Sequence, residues 1–267
     1  MKGLVVACMA GLLVGCGENL EGPAAGGAPG RPRDLKALSV NSTTVGLQWL
    51  APSGSDTTLS GYVVSWGSTT DTISRTTTTY SAGGLGPGLL SFNVLAVNNA
   101  GTAGAPVSIV WAPAARFDSS YVLQEISASD LSRISGMDVG SQTSNPRTLA
   151  MEAQGREAVD FFVDGAAGQP LVLRAANLYL QSLNATLFSP VQHQAPNLDL
   201  YLTSFPSTFS LSEVTVVDNT IYYARVFGDQ GTVLYVRIHV RIAPGDYPDR
   251  SVMITLSLQR QASVQAA

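Results

Sequence analysis

The sequence predicts an all-β fold, a β-sandwich followed by a second β-sandwich or jelly-roll-like domain, and three observations lead there. Short runs alternate apolar with polar residues, turn-forming Gly, Pro and Asn separate them, and sustained helical periodicity is missing. The length of 267 residues fits about two domains. With 45% hydrophobic and 13% charged residues the chain is apolar enough to fold rather than remain disordered. Its formal net charge of −4 excludes a nucleic-acid partner attracted by charge.

At the N-terminus, Lys2 precedes an apolar or Gly stretch of 12 residues, 4–15. As a helix this would measure about 18 Å, too short for a hydrocarbon core of roughly 30 Å but suited to an export signal. It ends in Leu13-Val14-Gly15-Cys16, which resembles the lipobox of bacterial lipoproteins. That resemblance implies a signal peptide over residues 1–15, cleavage before Cys16, and diacylation of Cys16 as the membrane anchor. It also implies an exported protein, lipid-anchored to the cell envelope, with the outer membrane favoured in a Gram-negative host because Gly17 stands where inner-membrane retention uses Asp. Two acyl chains hold stably where one does not. Cys8 leaves with the signal and Cys16 carries lipid, so neither of the two cysteines remains to pair. Loss of Lys2 leaves 14 basic against 19 acidic side chains, a formal −5 that gives no additional attraction to anionic headgroups.

Residues 16–32 read as the lipidated Cys16 followed by a flexible linker, 17–32, rich in Gly, Pro and Ala. A linker of that kind reaches about 20–25 Å on average. From Leu35 onward strands are expected. Residues 43–50 place Val45, Leu47 and Trp49 on one face, and residues 61–66 place Tyr62, Val64 and Trp66 on one face. Residues 90–98 do the same with Leu90, Phe92, Val94 and Ala96, and residues 107–111 close the series.

The order PRDLKALSVNSTTVGLQW, SGYVVSW and LGPGLLSFNVLAVNNAGTAGAPVSI resembles a fibronectin type III domain over residues 31–113, and the domain is bounded here at 33–113. The resemblance implies that Trp49 is the core Trp of the second strand and Tyr62 the aromatic of the third, with Trp66 and Trp111 at the sandwich edge. It departs at Leu90, which occupies the position of the family's corner Tyr, so the corner hydrogen bond is expected to be missing. There is no RGD tripeptide, and integrin binding does not carry over.

Residues 117–260 are expected to form a second β domain, with strands at 159–164, 171–179, 185–188, 198–202, 214–217, 221–227, 233–242 and 252–258. Gly228-Asp229-Gln230-Gly231 reads as the turn of a hairpin between 221–227 and 233–242. Residues 123–134 are the one stretch that suggests a short helix, with Ser127 or Ser129 as its cap.

Catalytic parts are scarce. The sequence contains no GxSxG, HExxH or P-loop motif. Asp160 and Asp164, four residues apart on one strand face, would stand about 13 Å apart, beyond the spacing of a glycosidase pair. Asp218-Asn219 and Asp246-Tyr247-Pro248-Asp249 cluster oxygens without EF-hand spacing and read as turns, so no metal and no cofactor is assigned.

In YVRIHVRI, alternation puts Tyr235, Arg237, His239 and Arg241 on the face opposite Leu234, Val236, Ile238, Val240 and Ile242. Two guanidinium groups beside His239 oppose cation binding, and a solvated face is expected. Arg237 and Arg241, about 13 Å apart along the strand, are the candidate contact for an anion or acidic glycan, with Tyr235 and His239 beside them. Tyr222, Tyr223, Tyr235 and Tyr247 are the other aromatic candidates, with cross-strand packing as their ordinary role.

These features describe a non-catalytic, membrane-anchored cell-envelope lipoprotein whose fibronectin type III module acts as spacer or interaction surface and presents the C-terminal β domain. An envelope protein or a glycan is the expected partner. The alternative is a ligand-capture lipoprotein that binds a carbohydrate, an anionic or a haem-like small molecule in the C-terminal domain. For haem, the segment VTVVDNTIYYARVFGDQGTVLYVRIHVRI resembles the terminal hairpin of HmuY-like β lipoproteins, which use two His; here these would be His193 and His239.

Overall fold

The computed structural model describes residues 27–54, 58–126, 130–140, 145–152, 156–180, 182, 185–228 and 232–261. The expected signal peptide, Cys16, most of the linker, Ser127, Ser129 and turn residues 229–231 lie outside the described residues.

Seven strands form the first sandwich: β1 (Arg33–Asn41), β2 (Thr44–Leu50), β3 (Leu59–Trp66), β4 (Thr69–Ser74), β5 (Thr79–Ala82), β6 (Leu90–Asn98) and β7 (Val107–Trp111). They lie in two antiparallel sheets, β1-β2-β5 and β4-β3-β6-β7. The alternating residues of β2, β3 and β6 meet between the sheets. Val45, Leu47, Tyr62, Val64, Phe92, Val94 and Ala96 are wholly buried there, and Trp49 packs edge-on against Tyr62 with ring centroids 5.5 Å apart. Strands β4 and β5 have no alternating apolar signal because they lie at sheet edges, where Thr and Ser suffice. Leu90 pairs with Trp111 across the β6–β7 ladder and brings no hydroxyl to the corner.

The described end of the Gly/Pro/Ala segment is held rather than free. Pro29 and Pro32 are buried, the Asn98 side-chain amide donates to the Gly27 carbonyl at 3.2 Å, and a Cβ at Gly104 would collide with the Pro29 carbonyl oxygen. The lack of a side chain at Gly104 is what lets this segment lie against the β6–β7 turn.

The C-terminal half also folds into two antiparallel sheets. Its strands are β8 (Ala115–Gln124), β9 (Ile134–Asp138), β10 (Arg147–Ala150), β11 (Phe161–Asp164), β12 (Val172–Ala175), β13 (Ala185–Phe188), β14 (His193–Gln194), β15 (Glu213–Thr215), β16 (Thr220–Phe227), β17 (Val233–Ala243) and β18 (Ser251–Gln261). One sheet runs β10-β9-β11-β12-β15; the other runs β13-β16-β17-β18-β8, with β14 paired beside β13 on β16. Between them lies a core that includes Met137, Phe161, Leu173, Phe188, Tyr222, Val236, Ile238, Ile254 and Leu256. The second half is therefore also a β-sandwich.

Three local expectations are corrected. The described residues of 123–134 form no helix: Leu123 belongs to β8, opposite Val252, and Ile134 opens β9. The run 171–179 is strand only to Ala175 and then turns through a short helix, α1 (Ala176–Tyr179). Residues 198–202 form no strand, although Leu202 makes an isolated antiparallel bridge to Ala37. Alternating Leu198, Leu200 and Leu202 mimic a strand, but this segment bonds to groups outside any continuous ladder.

Two ion pairs hold fully buried carboxylates of the second sandwich. Glu125, fully buried, receives Arg250 Nε at 2.8 Å and Nη2 at 2.7 Å. Asp138, also fully buried, receives Arg147 Nε at 2.8 Å.

Candidate functional site

The two sandwiches meet over the outer face of the six-stranded sheet. On β16 and β17, one set of alternating residues enters the second core, while Ile221, Tyr223 and Tyr235 join the same hydrophobic cluster as Trp49, Phe92 and Trp111 of the first sandwich. The cover is completed by the segment 195–209, whose Ala195, Leu202 and Phe209 are buried in that cluster. Phe205 is its hub, with ring centroids 6.3 Å from Trp111, 5.4 Å from Tyr223 and 5.8 Å from Tyr235. Leu202 and Ala37 exchange backbone hydrogen bonds of 2.8 and 3.0 Å, which closes the open edge of β1. Arg116 at the start of β8 reaches Asp199 at 2.6 Å.

The expected solvated face on β17 is thereby corrected. Arg237 and His239 are each only 3% exposed, Tyr235 is half-buried, and only Arg241 of the four stands in solvent. Alternation placed these residues on one face correctly, but the 195–209 segment and the first sandwich lie over it. The Arg237–Arg241 surface pair is not formed, since one member is buried and the other exposed.

Each histidine serves this cover. His239 Nε2 donates to the Ala195 carbonyl at 3.0 Å, and His193 Nδ1 shares a hydrogen bond of 3.0 Å with the Tyr223 hydroxyl. Burial holds both imidazoles below their ordinary pKa, with Arg237 adding to the effect at His193 and Arg241 at His239, partly offset by the Ala195 bond and Asp218. Axial ligation of haem through His239 Nε2 would break its bond to the Ala195 carbonyl. The aromatic candidates divide similarly: Tyr222 and Tyr223 are fully buried, and Tyr247 is exposed. Tyr222 donates to the Thr215 carbonyl, and burial pushes the Tyr223 hydroxyl up to about 12.

A cavity of about 40 Å³ opens at the junction, lined by Ser39, Trp111, Phe205, Tyr235, Arg237 and Ser257. Trp111, expected at a sandwich edge, is 4% exposed here because the second sandwich covers it. Its indole N–H donates to Ser39 Oγ at 2.9 Å, and Ser39 Oγ donates to the Ala112 carbonyl at 2.8 Å. Arg237 and Ser257 are directly opposite across the β17–β18 ladder. Arg237 Nη2 donates to the Leu200 carbonyl at 3.1 Å, whereas Arg237 Nε and Nη1 and Ser257 Oγ are buried without a hydrogen-bond partner. Burial drives the Arg237 guanidinium below its ordinary pKa, opposed by Tyr223 and Asp199.

Sequence reasoning selected Arg237 and Tyr235 but missed Ser39, Trp111, Phe205 and Ser257, which come from four different segments. The signal available was the apolar richness of 198–209, which needs a surface to cover. The two loop oxygen clusters bond to distant parts of the chain: Asp218 accepts from Ile242 N at 2.8 Å, and Asp249 accepts from Arg133 at 2.5 Å. Among the described residues, no group of three or more His, Cys, Asp or Glu is placed to hold a metal.

Residues 30–110 match the fibronectin type III domain family. Among solved structures, the chain is similar to the FN5 domain of Drosophila Lar, at 25% identity over 32% of this chain and 97% of that one, with a TM-score of 0.27. It is also similar to the third fibronectin III domain of human KIAA0343 protein, at 20% identity over 36% of this chain and 93% of that one, with a TM-score of 0.29. No curated protein matches the chain.

Proposed function

We propose that this chain is a non-catalytic cell-envelope lipoprotein, anchored through Cys16, in which a fibronectin type III module serves as a stiff spacer for a C-terminal β-sandwich. The observation that carries this reading is the hydrophobic cluster shared by the two sandwiches. A module joined to its neighbour only by a linker would swing, whereas one that shares a core with it fixes the neighbour's orientation. The held segment at Pro29 and Pro32 extends that stiffness toward the N-terminal end. The acidic balance leaves the acyl group as the source of membrane affinity.

Metabolic labelling with a radioactive fatty acid, followed by detergent-phase partitioning, tests the anchor. The wild-type chain is expected to label and enter the detergent phase, and Cys16→Ser to do neither. Unchanged partitioning of Cys16→Ser would reject the lipoprotein reading. Protease shaving of intact cells then identifies the side of the envelope on which the second sandwich is displayed.

A further inference from the structure

We infer that the cavity between the two sandwiches is a receptor for the carboxylate of a small aliphatic monoacid, held by Arg237 and Ser257. Arg237 is 3% exposed and Ser257 2% exposed, and they face each other across the ladder. Three of their donor groups, Arg237 Nε and Nη1 and Ser257 Oγ, lack a partner. A buried cation with unmet N–H groups is costly, because it has lost its hydration without gaining equivalent bonds. The carboxylate that acts on Arg237, Asp199, is itself engaged by Arg116 at 2.6 Å. A ligand carboxylate, with up to four acceptor sites, supplies both the charge and the acceptors that the site is missing.

The walls narrow the class. A single guanidinium compensates a single negative charge, which favours a monocarboxylate over sulfate or a phosphate dianion. About 40 Å³ is room for roughly three waters or one compact head group, which excludes a sugar ring from the interior. Trp111 and Phe205 make one side apolar, and Leu89 and Val110 on the rim are 39% and 57% exposed. A short alkyl chain leaving the head group would run along that apolar rim. The carboxylate comes either from a free acid or from the C-terminus of a short peptide, two sources with the same head-group chemistry.

Titration of the full chain in detergent with sodium acetate or butyrate, at constant ionic strength against sodium chloride, tests the inference through tryptophan fluorescence, since Trp111 lines the cavity. The result expected is a saturable change for both acids below about 100 mM, with sulfate weaker by about tenfold or more. Arg237→Met should abolish it without loss of thermal stability, because an unpaired buried charge is replaced by a packed apolar chain. The exposed Arg241→Met should leave it intact. Should Arg237→Met fail to fold, Ser257→Val keeps the guanidinium while narrowing the cavity and removing one donor, and weakens binding by about tenfold or more. Trialanine with a free and with an amidated C-terminus distinguishes the sources: binding of the free form alone identifies a peptide end, and binding of neither assigns the site to free acids. No saturable change in the wild type, which would mean that the cavity holds water only, overturns the inference. So does a change that survives Arg237→Met or Ser257→Val.

Discussion

Ala37 and Leu202, 165 positions apart in the chain, are joined by a reciprocal pair of backbone hydrogen bonds, Ala37 N to Leu202 O at 2.8 Å and Leu202 N to Ala37 O at 3.0 Å. Ala37 lies in edge strand β1 of the first sandwich, and Leu202 in the segment laid over the second. This joint turns a strand edge that would otherwise be open into part of an internal contact.

Phe205 carries the aromatic part of that contact. Phe205→Ala removes edge-to-face contacts with Trp111, Tyr223 and Tyr235, and should cost roughly 2–3 kcal/mol, below the loss for a fully buried Phe because its ring is only partly covered. Chemical denaturation followed separately by tryptophan fluorescence and far-ultraviolet circular dichroism should give coincident transitions in the wild type and separated ones in the variant.

Within the first sandwich, Trp49→Ala should destabilise by roughly 3–5 kcal/mol, since Trp49 is 1% exposed against Tyr62. Trp66, only partly buried at the end of β3, should cost less on the same substitution. Equilibrium unfolding of the two variants ranks them, and the reverse order would contradict the core described for β2 and β3.

Arg250 covers the carboxylate of the fully buried Glu125 through two hydrogen bonds. Arg250→Met strands that charge and should cost about 3–5 kcal/mol, whereas the double variant Glu125→Leu, Arg250→Met should lose less than Arg250→Met alone. A double-mutant cycle from denaturation midpoints measures the difference.

Acidification should loosen the cover through its histidines. His193 and His239 both have folded-state pKa values depressed below 6.5. Below pH 6.5 the unfolded chain therefore takes up protons that the folded chain resists, and stability present above that pH is lost as pH falls through it toward the folded-state values. Melting temperature should fall as pH drops from 7.5 to about 5.5. His193→Gln, His239→Gln should flatten that slope.

Alternation made much of the molecule legible because it reports which side chains share a sheet face. It found the cores containing Trp49, Tyr62 and Phe92 in one sandwich and Val236, Ile238 and Val240 in the other. It does not report what lies over the opposite face. Tyr235, Arg237 and His239 read as solvated because Arg and His usually are, but residues from positions 37, 111 and 202 converge on that face through the tertiary fold. Leu198, Leu200 and Leu202 have the right period for a strand and are used instead as apolar cover. Strands β4 and β5 were silent for the opposite reason, since edge strands rich in exposed Thr bury too little to leave a pattern.

The central claim is that the fibronectin type III module and the C-terminal sandwich hold one fixed orientation. Residual dipolar couplings of backbone amides test it directly, with residues 33–111 and 115–258 fitted separately in the same weakly aligned sample. One alignment tensor, equal in magnitude and orientation for both sets, is the result expected. Two tensors of different magnitude, the mark of a swinging linker, would contradict it.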